Sequence, residues 1–148
     1  MLLLSMLILA ETAVPSQAPA DIFVGLTGSC YSTQMPGGAT DTHCFTVAVG
    51  GKLVADVHKV VSGGKVVYEG VTTYSPGAGS AVLTYSSSLG QIMPGTVSRA
   101  GDTLDFSIRI SGNAQTLQWK LTADGYDVTM GGAVSHFAKV GPAPEGGL

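Results

Sequence analysis

His58 and Glu69 are the residue pair in this chain best suited to chemistry, with Asp56 and Lys59 close by. A hairpin turning at Gly63-Gly64 with a two-residue loop sets His58 opposite Glu69, Val60 opposite Val67 and Asp56 opposite Val71. A carboxylate facing an imidazole inside a barrel would shift the histidine pKa and orient a polar group of a ligand. On an outer wall the same pair is an ordinary cross-strand ion pair, contributing well under ~1 kcal/mol. The outer placement is the expected one. Tyr68, Tyr74, Phe106 and Trp119 join His58 and Glu69 as candidate ligand-binding residues, because aromatic side chains on a buried strand face can line a cavity as well as fill it.

Other constellations point to little chemistry. The histidines are His43, His58 and His136. His43 adjoins Cys44, and His136 falls opposite Asp127 on the solvated face of the last hairpin. Nothing in their spacing requires convergence, so no metal site and no cofactor is expected. No Gly-x-Ser-x-Gly elbow occurs. Gly77-Ala78-Gly79 is not followed by a helical pattern, which a phosphate loop requires. No catalytic residue is assigned, and an enzyme is not expected. Cys30 and Cys44 are the two cysteines. In an exported chain they read as one disulfide, and closing a loop of about 15 residues stabilises by roughly 3 kcal/mol in the chain-entropy model.

The elements that must position these residues are strands. Gly, Pro, Asn and Asp clusters recur about every 10 residues, separated by runs rich in Val, Ile, Thr, Tyr and Phe. No long helical stripe interrupts them, although a short helical turn fits near Asp21–Leu26. A turn at Gly112-Asn113 sets Leu104 opposite Leu121, Phe106 opposite Trp119 and Ile108 opposite Leu117. A turn at Asp124-Gly125 then sets Leu121 opposite Val128, and one at Gly131-Gly132 sets Tyr126 opposite Phe137. One apolar face stays in step through three hairpins, and a one-residue slip would turn it to solvent. The expectation is an all-β, antiparallel up-and-down meander closing into a barrel of about 8–10 strands.

Composition sets the compartment and the partners. Of 148 residues, 45% are apolar and 11% charged, and the net charge of −3 leaves no basic stripe for nucleic acid. Residues 2–9 are an apolar run too short to span a bilayer, followed by the small-x-small site Ala18-Pro19-Ala20. The run lacks an opening basic residue, since the first is Lys52, so a start further upstream is expected. The reading is a signal peptide over 1–20 with cleavage after Ala20, one barrel domain over 21–140 and a disordered tail over 141–148. The mature protein is then periplasmic or secreted and not integral to a membrane. Its oligomeric state is not set by the sequence.

Phe23-Val24-Gly25-Leu26-Thr27-Gly28-Ser29-Cys30-Tyr31 resembles the opening of small exported bacterial lipocalin-like (calycin) proteins. Gly64-Lys65-Val66-Val67-Tyr68-Glu69 resembles a hairpin arm in uncharacterised members of that group. Cys30 and Tyr31 stand where better-known lipocalins carry the Trp of Gly-x-Trp. The resemblance implies a barrel with one open mouth and an interior site for a small hydrophobic or amphipathic ligand. The alternative is an exported protein-interaction module, an inhibitor or envelope-associated protein, with a filled core.

Overall fold

The computed structural model describes residues 16–145. The chain runs β1 (Ser16–Gln17), α1 (Pro19–Ile22), β2 (Ser29–Gln34), β3 (Thr40–Ala48), a 3-10 turn (Val49–Gly51), β4 (Leu53–Ser62), β5 (Lys65–Ala78), β6 (Ala81–Ser87), β7 (Ile92–Ala100), β8 (Thr103–Ile110), β9 (Asn113–Leu121), β10 (Gly125–Met130) and β11 (Ala133–Pro142). All pairings are antiparallel. Strands β2 to β11 form a closed ten-stranded up-and-down barrel, because β11 returns to pair with β2 while β5 pairs with β6. The short β1 adds to the far end of β5. The barrel expected from the turn spacing is therefore the fold observed. Strand β11 runs to Pro142, two residues past the boundary set at 140, with Gly141 facing Cys30 and Pro142 facing Ser29. Residues 1–15 of the expected signal peptide and residues 146–148 of the expected tail lie outside the described residues. Among the described residues no helix is long and apolar enough to cross a membrane.

Alternation along each strand sends every second side chain inward. The core holds Phe45, Val54, Tyr74, Leu83, Val97, Leu104, Phe106, Trp119, Tyr126 and Phe137. One end is plugged. Helix α1 begins at Pro19, whose fixed φ suits a first helical turn, and it lies slightly earlier than the helical turn expected near Asp21–Leu26. It and the turns that follow push Ile22, Phe23 and Leu26 into the barrel, where each is at most 1% exposed. Phe23 packs on Tyr74 with ring centroids 4.2 Å apart. Tyr31 donates its hydroxyl to the Gly25 carbonyl at 3.0 Å. Arg99 donates to the carbonyls of Ile22 and Val24 at 2.9 and 2.7 Å, tying the plug to β7. The opposite end, where the β2–β3, β4–β5, β6–β7, β8–β9 and β10–β11 turns gather, carries no such plug among the described residues.

Three hairpin registers correct the expected ones. The β8–β9 turn is Ser111-Gly112, both at positive φ, so Leu104 faces Trp119 and Phe106 faces Leu117. The β9–β10 turn also sits one residue early, and Tyr126 faces Leu121 while Val128 faces Trp119. Moving a turn by one residue moves each pairing by two, so the inward face is preserved. Tyr126 faces Phe137 and Met130 faces Ala133, as expected. The third correction changes the face. A register shift between Val60 and Val61 inserts one extra residue into β5 relative to β4. His58 then faces Gly70, and Glu69 faces Lys59. The expected His58–Glu69 pair does not form.

Candidate functional site

The bulge between β4 and β5 determines what enters the barrel. Beyond it, Val54, Asp56, His58 and Val60 share a cross-strand face with Tyr74, Thr72, Gly70 and Tyr68. That face is the inner one. Glu69 goes to the outer wall, about half exposed, with its carboxylate 3.7 Å from Lys59 Nζ. At that exposure the pair contributes roughly 0–1 kcal/mol. His58, expected outside, points in.

On β3, Asp41 and His43 lie on the same inner face, and His43 is directly opposite His58. Their rings stack with centroids 4.1 Å apart and planes 16° apart. His43 Nδ1 is 2.7 Å from Asp56 Oδ2, and Asp56 is 1% exposed. His58 Nε2 is 2.6 Å from Asp41 Oδ1, within ion-pair distance. His43 Nε2 lies 3.7 Å from the same Asp41 oxygen. Burial works against a charged His43 imidazolium. Asp56, through its charge and hydrogen bond, and then Asp41 outweigh that, so the His43 pKa sits above the ordinary histidine value.

These polar groups border a cavity of about 470 Å³. Trp119, Phe137, Phe106 and Leu117 form much of its wall, and Met35, Met93, Ile108 and Met130 line it toward the turns at the unplugged end. Among the described residues Asp56 Oδ1, Trp119 Nε1 and Tyr126 Oη are buried with no hydrogen-bond partner. Tyr68 and Tyr85 meet through their hydroxyls. The Tyr85 ring lies over Gly70, where an added Cβ would stand 2.5–2.7 Å from it, so glycine is needed there for the ring to lie flat on the wall. Burial raises the pKa of Tyr85, and raises those of Tyr74 and Tyr126 well above the free phenol. All three remain neutral hydroxyls at physiological pH.

Of the residues singled out from sequence, His58, Tyr68, Tyr74, Phe106 and Trp119 border this cavity and Glu69 does not. Cys30 and Cys44 form the expected disulfide, on the outer face behind Tyr31 and His43. Asp41, His43 and Asp56 were not assigned a site role from sequence. The signal that marks them is a repeated tripeptide: Asp41-Thr42-His43 and Asp56-Val57-His58. Spacing i, i+2 puts each Asp and His on one strand face. His136 stands apart, exposed, with Nδ1 2.6 Å from Asp127 and Nε2 3.4 Å from Asp124. The Asp127 hydrogen bond, ahead of any other influence, raises its pKa. An NMR titration of the ring Cε1 proton is expected to show His136 protonating at higher pH than a free histidine. Asp127→Asn should bring it back down, and an unmoved curve would mean that the hydrogen bond does not form in solution.

No protein-family model matches the chain, and a comparison with curated proteins finds no match.

Proposed function

We propose that this is an exported binding protein that takes a small amphipathic molecule into its barrel, as the lipocalin-like resemblance implies. One observation carries the reading: a cavity of about 470 Å³, open at the unplugged end, with apolar walls and buried polar atoms that lack partners. Ligand pockets of small molecules run to roughly 300–1,000 Å³ and combine apolar walls with a few placed polar groups. An unpaired buried polar atom costs about 1–3 kcal/mol, and a ligand that bonds to it recovers that cost as affinity. The occupant therefore carries an apolar body against Trp119, Phe106 and Leu117 and a polar end that reaches the histidine–aspartate cluster. A filled barrel, the mark of the alternative interaction role, would not leave such a cavity.

Export rests on the Cys30–Cys44 disulfide, since such bonds persist in oxidising compartments. Cleavage after Ala20 would fall inside α1 and remove Pro19 and the carbonyls of Ala18 and Pro19 that its backbone bonds use. Ile22, Phe23 and Leu26 would then be held by the barrel wall and by Arg99.

Trp119 reports on the site. Titrating the protein with the apolar fluorophore N-phenyl-1-naphthylamine is expected to raise the probe's emission and quench Trp119 in a saturable 1:1 process. Met93→Lys puts a charge on the cavity wall and should weaken binding at least tenfold, with stability nearly unchanged because Met93 is only partly buried. Non-saturable binding, or equal binding by Met93→Lys, would place the probe on the outer surface and end this reading.

A further inference from the structure

The cluster on the inner wall of the barrel has the parts of a metal centre. Asp41, His43 and His58 each offer one ligand atom, and these atoms lie within 4.8 Å of one another. In a tetrahedral zinc site with bonds near 2.0–2.1 Å, neighbouring ligand atoms stand about 3.3 Å apart. The separations from Asp41 Oδ1, 2.6 Å to His58 Nε2 and 3.7 Å to His43 Nε2, bracket that value. Two of the three atoms, Asp41 Oδ1 and His58 Nε2, are buried and have no hydrogen-bond partner among the described residues. They face each other at 2.6 Å as an ion pair, which a cation bound by both would replace.

The surroundings fit as well. His43 holds its far nitrogen, Nδ1, against Asp56 at 2.7 Å. A carboxylate on the outer nitrogen sets the tautomer that frees Nε2 for a metal and makes it a stronger ligand. Asp56 is buried, so it serves no solvent-exposed ion pair. Two carboxylates and two imidazoles share one wall of the barrel, a donor set that a dication can bind. All three residues border the cavity, whose walls beyond them are aromatic and aliphatic.

We infer that Asp41, His43 and His58 bind one divalent transition-metal ion of the zinc type, with Asp56 orienting His43 from behind. Two histidines and one carboxylate with an open position suit zinc and other borderline ions better than calcium or magnesium, which prefer all-oxygen sets. The site goes beyond the ligand-binding reading and is tested without any small molecule, so either can fail alone.

The test is isothermal titration of tag-free, chelator-stripped full chain with Zn2+, paired with NMR of the three histidine rings. One equivalent should bind saturably. The His43 and His58 ring signals should move, and those of His136 should not. His58→Ala and Asp41→Asn should abolish saturable binding, Asp56→Asn should weaken it about 10–100-fold, and His136→Ala should leave it unchanged. The ring signals of the unmutated chain keep the test decisive if a variant fails to fold. No saturable uptake, uptake that survives His58→Ala in a folded protein, or signals that move only at His136 would overturn the inference.

Discussion

Replacing Phe45 with alanine is expected to cost about 3–5 kcal/mol of folding stability, the range for deleting a fully buried aromatic ring. Phe45 is 0% exposed and sits where the plug meets the barrel. Its ring lies 5.9 Å from Phe23, 6.0 Å from Tyr31, 5.9 Å from Trp119 and 6.2 Å from Tyr126. These neighbours come from the N-terminal plug and from strands β2, β9 and β10, so they cannot collapse together into the space left behind. A poorly relaxing cavity puts the cost in the upper part of that range. Urea unfolding followed at Trp119 measures it, with an unchanged slope showing that stability rather than compactness has moved. Val82→Ala, on the outer face of β6, is the control, expected within about 0.5 kcal/mol of the parent because Val82 is 43% exposed. A loss below ~1 kcal/mol for Phe45→Ala would contradict a packed junction between plug and barrel.

Removing the Cys30–Cys44 disulfide is expected to cost roughly 3 kcal/mol. The bond links residues 14 apart and joins directly facing positions on β2 and β3. In the unfolded chain it closes that loop and lowers the entropy that folding must overcome. Its place in the barrel matters too. Strand β2 is the seam: on one side it pairs with β3 through five positions, and on the other it meets β11 through four, with a register shift near Lys139. The bond reinforces β2–β3, the side of the seam with the unbroken register. The comparison is urea unfolding of the oxidised protein against the Cys30→Ala/Cys44→Ala double variant, which avoids leaving a free thiol. Equal midpoints would mean that the hairpin is already as restricted in the unfolded chain. Because Asp41 and His43 ride on β3, the double variant should also loosen the cluster inside the barrel.

Much of the barrel is legible in the sequence because period-two alternation is a local property. Leu104, Phe106, Ile108, Leu117, Trp119, Tyr126, Val128 and Phe137 can be placed on one inner face from spacing alone, and all of them belong to the core or pack against it. Exact pairing is less accessible. A hairpin of this kind needs positive φ at both turn positions, and asparagine tolerates that better than serine. Gly112 can take either position, and the chain uses Ser111 rather than Asn113 as its partner. Gly125 looks like a turn residue but lies in β10, because a Cβ there would strike the Phe137 carbonyl oxygen across the ladder. A glycine required for close backbone approach and one required for a turn are the same letter.

The sequence by itself determined the strand-rich meander, the disulfide partners and the oily face around Trp119, since each follows from residue type and short-range spacing. Only the tertiary structure decided the site. One bulge at Val60–Val61 turned Tyr68 inward and Glu69 outward, and closure of the strands brought two Asp-x-His tripeptides face to face. Which wall a residue occupies depends on parity counted through every bulge along the strand, and a bulge is fixed by packing with distant strands rather than by its own neighbours in the chain.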